Sequence, residues 1–288
     1  MSASNAAAGT RPALRAFSGR LVLVGAGKMG GALLEGWLTR GLDPSRVAVL
    51  EPDPTPQIAA LATRGLQINP DVKAVAPAAV VVIAVKPQVA ADVVGELAPM
   101  VAASTLVVSI MAGRTLQFLA AALKQPCALV RAMPNTPAAI GRGITVAVPR
   151  NADEAQRALA DELLSATGAV EWIADEALMD AVTAVSGSGP AYVFLLAEAL
   201  GQAGVAAGLP GRLAARLARE TVAGAGELLH RSTLDAAALR ENVTSPGGTT
   251  AAALAVLMGK DGSGKAGLPP LLREAVAAAT KRSRELAG

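Results

Sequence analysis

The chain has 288 residues, is 52% hydrophobic and only 2% aromatic, and carries 26 basic and 23 acidic side chains for a net charge of +3. That length allows one large domain or two ordinary ones, while the near-balanced charge and the scarcity of stacking rings give no footprint for nucleic acid. A single cysteine, Cys127, excludes an internal disulfide, no Cys/His cluster offers a metal site, and a reducing cytoplasm fits.

Residues 1–18 are rich in Ser, Ala and Asn, contain no acid and lack a coherent apolar segment. Arg11 and Arg15 give them a faint transit-peptide look, but a disordered extension is the expectation. The apolar run Leu21-Val22-Leu23-Val24 then feeds into Gly25-Ala26-Gly27-Lys28-Met29-Gly30 and a helical stretch from Ala32 to Leu38. A second run, Val47-Ala48-Val49-Leu50, ends in Glu51. Strand, glycine turn, helix, strand and acid within about thirty residues are what a dinucleotide-binding βαβ unit requires. Gly25 permits the tight turn, Gly27 lets backbone approach a pyrophosphate at the helix N-terminus, and Gly30 lets the helix pack on the sheet. Glu51 stands where an acid accepts hydrogen bonds from a ribose 2′-hydroxyl.

The alternation continues. Residues 57–64 read as helix, 80–85 as a strand buried on both faces, 89–101 as helix, 105–110 as strand, 116–123 as helix and 128–133 as strand. Residues 144–148 and 170–173 read as strands flanking a helix at 154–164. This pattern argues for a parallel sheet covered on both faces. Cys127, in an apolar run, reads as an inert core thiol. Ala84-Val85-Lys86-Pro87 follows a buried strand, at the carboxyl end where such sheets bind ligands. Lys86 there can meet an anionic or carbonyl group, or simply be a solvated lysine. Met133-Pro134-Asn135-Thr136-Pro137 follows another strand; its prolines either present the Asn135 amide to a nicotinamide or ribose or make a plain turn.

From about residue 175 no strand candidate remains. Long Ala/Leu helices dominate, broken at Gly208-Leu209-Pro210 and at residues 244–250 and 259–270. The expected divisions are an extension at 1–18, a dinucleotide-binding domain at 19–175 and an all-helical substrate and dimerisation domain at 176–288. Residues 181–207 are apolar enough to suggest a membrane span. Ser186-Gly187-Ser188-Gly189-Pro190, Glu198 and Gln202 interrupt them, so a buried interface helix and no membrane are expected. His230 reads as a surface or packing residue. Thr244-Ser245-Pro246-Gly247-Gly248-Thr249-Thr250 gathers hydroxyls and backbone N–H groups at a helix start, as a carboxylate receptor would. Ser and Thr are also ordinary helix caps, but capping does not account for two glycines beside four hydroxyls.

In order, GAGKMG, AVKP, MPNTP, VSGSGPAY and VTSPGGTT resemble the pyrroline-5-carboxylate reductase family over roughly residues 20–286. The resemblance implies an α/β Rossmann domain followed by an all-α dimerisation domain that intertwines in a homodimer, often built into decamers. It implies NADPH or NADH as cofactor, with Val24, Gly25, Ala26, Gly27, Lys28 and Met29 at the pyrophosphate. Ala84, Val85, Lys86 and Pro87 would line the cofactor near its ribose, and Asn242 would touch it. Glu176, Ser245, Thr249 and Thr250 would lie at the substrate. The backbone of Gly247, Gly248, Thr249 and Thr250 would grip its carboxylate with Ser245, and Thr250 would bond the ring nitrogen. Two residues depart from the family pattern: Glu51 where a small polar residue is common, and Asp71 where Asn is common. Both place negative charge where a 2′-phosphate would sit, with Arg46 and Arg64 near in sequence to offset it. NADH is therefore expected to serve at least as well as NADPH, although the family often favours NADPH.

The implied reaction is hydride transfer to the C=N bond of 1-pyrroline-5-carboxylate, giving L-proline at the last step of proline biosynthesis. A β-hydroxyacid dehydrogenase shares the domain plan but needs a catalytic lysine on a long second-domain helix, and residues 175–229 contain none. A non-catalytic dinucleotide-binding scaffold would keep the glycine turn without needing the receptor at residues 244–250.

Overall fold

The structure is a computed structural model that describes residues 14–73, 75 and 77–287. Residues 1–13 of the expected extension lie outside them. The last part of residues 1–18 departs from the expectation. Leu14–Ala16 form a short 3-10 turn and Leu14 is buried in the core, where its side chain gains the free energy of leaving water.

Aliphatic and β-branched runs form the strands, as such side chains suit a pleated, covered surface. The elements are β1 (Leu21–Val24), α1 (Lys28–Thr39), β2 (Val47–Leu50), α2 (Pro56–Ala60), β3 (Gln67–Ile68), β4 (Val80–Ile83), α3 (Ala90–Glu96) and β5 (Leu106–Ser109). Next come α4 (Leu116–Leu123), β6 (Ala128–Met133), β7 (Gly143–Arg150), α5 (Glu154–Leu164) and β8 (Gly168–Trp172). They form one sheet of order β3-β2-β1-β4-β5-β6-β7-β8. Strand side chains alternate faces, so Leu21, Leu23, Val80 and Val82 meet α1 and α5 on one side. Val22, Val24, Val81 and Ile83 meet α3 and α4 on the other.

β1 to β6 are parallel, in the doubly wound order that reverses between β1 and β4. The all-parallel expectation fails at β7, which pairs antiparallel with β6. A parallel return needs a crossover of about a dozen residues or more. The β6–β7 connection holds only a 3-10 turn, Thr136–Ile140, so the chain folds straight back. β3 was not anticipated; it is a short run paired only to β2.

After β8 come α6 (Met179–Val182) and a π-helical turn, Thr183–Gly187. The chain divides into two compact units: one ends at Gly187 and includes the C-terminal segment from Lys281, and the other is Ser188–Thr280. This break falls later than the 175/176 boundary that the pattern suggested. Met179 is fully buried in the cluster beneath α3 and α4, which keeps the segment after β8 with the first unit.

The second unit is helical: α7 (Gly189–Ala206), α8 (Gly211–Arg231), α9 (Ala236–Asn242), α10 (Thr249–Leu257) and most of α11 (Leu268–Ala287). α7 and α8 run antiparallel in close contact; a Cβ on Gly204 would lie 3.1 Å from Ala214 Cβ. Within the single chain, Phe194 is 67% exposed and Leu195 63%.

The tightest packing is at the start of α1. A Cβ on Gly30 would lie 2.1 Å from the Gly25 carbonyl oxygen, whereas one on Gly31 meets nothing nearer than Ala26 O at 3.4 Å. Gly30→Ala is expected to destabilise the fold by about 1–3 kcal/mol or more through overpacking. Gly31→Ala is expected to be neutral or to gain up to about 1 kcal/mol from helix propensity. Denaturant unfolding of both variants checks this; equal stabilities would mean the turn relaxes freely.

Candidate active site

The site begins at the carboxyl ends of β1 and β4. Gly25 takes φ +89, and a Cβ there would meet Ala84 O at 2.8 Å, so a side chain is excluded on both conformational and steric grounds. Gly25 N donates to Leu50 O at 2.8 Å and Ala84 N to Val24 O at 2.7 Å, closing β1 onto both neighbours. α1 starts with Gly27 as its N-cap, without a side-chain cap. No atom lies within 4 Å of where a Gly27 Cβ would be. The helix start is therefore uncapped with open space beside Gly27, which fits an anion such as a pyrophosphate.

Glu51 is locked to this turn. Its Oε2 accepts from Ala26 N at 2.8 Å and its Oε1 from Asp53 N at 3.3 Å. Asn69, held at φ 46, accepts from Glu51 N at 2.8 Å and donates to Glu51 O at 2.9 Å. The acid of the fingerprint is thus fixed beside the backbone that would hold the pyrophosphate. Asp71 is exposed and engaged locally, accepting from Lys73 N at 2.9 Å. A cleft of about 920 Å³ opens beside the turn, lined by Ala26, Gly27, Lys28, Thr55, Gln57 and Arg64 among others.

At the end of β4, Ala84 and Val85 are half-buried and Lys86 is exposed. Arg114, not singled out from the sequence, holds this turn. Its Nε and Nη2 donate to Pro87 O at 3.1 and 2.7 Å, and its guanidinium lies 5.0 Å from the centre of the Phe118 ring. At the end of β6, Asn135 Oδ1 accepts from Ile144 N at 3.0 Å. The amide oxygen is therefore engaged by the start of β7, while no protein acceptor is seen for the amide N–H groups among the described residues.

Glu176, expected at the substrate, is found pairing with Arg131. Its Oε1 accepts from Arg131 Nη1 at 2.8 Å and from Leu116 N, at the first turn of α4, at 2.9 Å. The Arg131 side chain is 6% exposed and that of Glu176 28%. Sequence reasoning passed over Arg131, although a lone charge inside the run Ala128-Leu129-Val130-Arg131-Ala132-Met133 was a visible signal. A guanidinium so buried needs a counter-charge.

In the second unit, Ser245, Gly247, Gly248, Thr249 and Thr250 gather at the start of α10. The N-cap there is Gly248 and makes no side-chain bond. Gly248 N donates to Ser245 O at 3.0 Å, and Gly247 takes φ +69 with nothing near its Cβ position. None of the hydroxyls of Ser245, Thr249 and Thr250 serves as the helix cap. Asn242 ends α9. Elsewhere, burial pushes the Cys127 thiol up, as an inert core thiol requires. His230 is exposed on α8. Among the described residues no cluster of His, Cys, Asp or Glu could hold a metal, and no helix is long and apolar enough to cross a membrane.

The chain matches the pyrroline-5-carboxylate reductase dimerisation model over residues 176–286 and a model of F420-dependent NADP oxidoreductases over residues 20–113. It is 39% identical to the pyrroline-5-carboxylate reductase of Pseudomonas aeruginosa, covering 93% of this chain and 97% of that one. With the Synechocystis enzyme of the same name it shares 41% identity over 93% of this chain and 98% of the relative. Among solved structures it resembles a pyrroline-5-carboxylate reductase of Coxiella burnetii, with TM-score 0.84 and 33% identity over 94% of this chain and 99% of that one. A Plasmodium falciparum pyrroline carboxylate reductase with NADP bound aligns with TM-score 0.77 and 28% identity over 94% of this chain and 99% of that one.

The Arg131–Glu176 pair yields a stability cycle. Glu176→Ala strands a buried guanidinium and is expected to cost about 2–4 kcal/mol, the figure for a broken buried pair reduced for the partial exposure of Glu176. Arg131→Met should cost less, and the double variant should recover much of the loss. Chemical denaturation of the three variants decides it; a Glu176→Ala protein as stable as wild type would show that Arg131 is neutralised otherwise.

Proposed function

The chain belongs to the pyrroline-5-carboxylate reductase family, and from that premise we propose how its own residues carry the reaction. The protein is an NAD(P)H-dependent oxidoreductase that reduces 1-pyrroline-5-carboxylate to L-proline, the last step of proline biosynthesis. The observation that carries the residue assignment is the loop at 244–250, whose hydroxyls and glycines crowd a helix start that Gly248 itself caps.

When bound, NAD(P)H would supply the hydride for C5 of the imine, with the C=N π pair passing to the ring nitrogen, which also gains a proton. In the first unit, the N–H groups at the start of α1 hold the pyrophosphate and Glu51 accepts from the adenosine ribose. Ala84, Val85, Lys86 and Pro87 line the cofactor near its ribose, and Asn135 offers its amide N–H groups. In the second unit, Ser245 and the backbone of Gly247, Gly248, Thr249 and Thr250 hold the substrate carboxylate, the Thr250 hydroxyl bonds the ring nitrogen, and Asn242 touches the cofactor. Glu176, with Oε1 committed to Arg131, has Oε2 for the substrate. A protonated imine is already electrophilic, so no strong general acid is needed, and positioning supplies much of the acceleration.

Functionally, residues 19–175 form the cofactor domain and 176–288 the substrate and dimerisation domain. Residues 176–286 match the dimerisation model, and exposed apolar residues on α7 and α8 support a homodimer. Further assembly into decamers follows the family habit, and the thiol-poor composition suits the cytoplasm.

Purified protein is expected to oxidise NAD(P)H only when 1-pyrroline-5-carboxylate is present. Thr250→Ala should lower kcat/KM by roughly one to three powers of ten with little change in cofactor affinity. A well-folded protein without imine-dependent oxidation refutes the activity, and wild-type kinetics in Thr250→Ala refutes the role of Thr250.

Cofactor preference follows from Glu51. NADH should serve the wild type at least as well as NADPH, because a 2′-phosphate would meet this carboxylate. Glu51→Gln keeps an acceptor for Ala26 N but removes the charge, and should raise the NADPH-to-NADH ratio of kcat/KM about tenfold. A wild type that prefers NADPH tenfold, with a ratio that Glu51→Gln leaves alone, would mean Glu51 does not face the 2′ position.

A further inference from the structure

Folding leaves Ser186 unexplained. Its Oγ is buried and has no hydrogen-bond partner among the described residues. A buried hydroxyl in that state costs about as much as a lost hydrogen bond, so it calls for a reason. Glu162 Oε1 is also buried without a hydrogen bond, and burial pushes that carboxyl up, but the Arg40 charge offsets part of the effect.

Its surroundings point to the cofactor. Ser186 belongs to the π-helical turn Thr183–Gly187, a rare geometry that recurs at functional sites. One end of the turn is braced by Thr183 Oγ1, which donates to the carbonyl of the buried Met179 at 2.8 Å. The other end presses on β6: a Cβ on Gly187 would come 2.6 Å from Met133 Cε. Met133 is the last residue of β6 and leads directly to Pro134 and Asn135. The turn is therefore fixed against the carboxyl end of β6. In this strand order a dinucleotide lies across the carboxyl ends. Glu51 marks the adenosine half over β1 and β2, which leaves β4, β5 and β6 for the nicotinamide half.

The nicotinamide carboxamide has an acceptor oxygen and a donor NH₂. Asn135 Nδ2 suits the oxygen, while its Oδ1 already accepts one bond from Ile144 N. The NH₂ needs an acceptor, and a hydroxyl is one. We propose that Ser186 Oγ accepts the hydrogen bond from the carboxamide NH₂ of the bound nicotinamide, making Ser186 a cofactor-binding residue that orients the ring. The residue as a whole is only half-buried, and the proposal requires a χ1 rotation to carry the hydroxyl from its dry position to the ligand. This rests on the reductase reading above.

The test compares Ser186→Ala with wild type, reading thermal midpoint without ligand and affinity for NADH and for its 3-acetylpyridine analogue, which lacks the NH₂. The expected result is an unchanged or raised midpoint, because an unpaired hydroxyl has been removed. NADH affinity should weaken about tenfold while affinity for the analogue stays the same. Wild-type affinity for NADH in the variant, equal weakening toward both ligands, or a midpoint lowered by several degrees with affinities intact would each overturn the proposal. These affinities are read without imine. A wild type that binds NADH but never turns over would therefore sink the reductase reading, while the comparison would still decide for or against Ser186.

Discussion

The approach of α1 to β1 and β4 at the glycine turn is the contact on which the rest of the site depends. Gly30 sits against the Gly25 carbonyl and Gly25 against Ala84, with no room for a Cβ at either position. The other end of α1 is tied by Trp37, fully buried, whose Nε1 donates to Leu163 O at 2.8 Å. With both ends held, the direction of the helix is set, and so is the point in space at which its first N–H groups converge. Ala26 N reaches Glu51 only because the turn is this tight. One packing constraint thus positions both the first N–H groups of α1 and the Glu51 carboxylate.

The polar groups around that contact fall into two kinds. Some are fully engaged: Asn69 pairs with both backbone groups of Glu51, and Arg131 with Glu176 and the start of α4. These fix backbone, and the second fixes the end of β6 that carries Pro134 and Asn135. A buried guanidinium is costly alone and acceptable when paired, so the pairing also decides where the segment after β8 must lie. Others carry no fold-stabilising cap: the Ser245, Thr249 and Thr250 hydroxyls leave the cap of α10 to Gly248. Groups that folding does not use are the ones available to a ligand.

Much of this was legible in the sequence because it depends on short-range pattern. Leu21-Val22-Leu23-Val24, the glycines and Glu51 each carry a local requirement, and the strands at 80–83, 106–109 and 128–133 are apolar runs bounded by turn residues. What the sequence hid depends on partners far along the chain. The reversal at β7 follows from the length of the connection, since Ile144 and Val148 look the same in either direction. Gln67 and Ile68 become a strand only because Ala48 and Val49 lie beside them. That Glu176 also pairs with Arg131 was hidden, because the two are 45 residues apart in sequence. The π turn has no residue signature, so Ser186 read as part of an interrupted helix.

The second unit follows a different logic, also rooted in composition. Its buried hydrophobic residues are Ala214 and Ala218, while Phe194, Leu195, Leu228 and Leu271 each remain more than half exposed in the single chain. Alanine against glycine lets α7 and α8 approach closely, but little apolar surface leaves water in that contact. A helix as evenly apolar as α7 belongs in the interior of something larger. Long exposed apolar faces of this kind mark association surfaces, and residues 176–286 match a dimerisation model, in keeping with such a surface. On that reading the core of this unit is completed only by association. Its folding free energy then depends on protomer concentration.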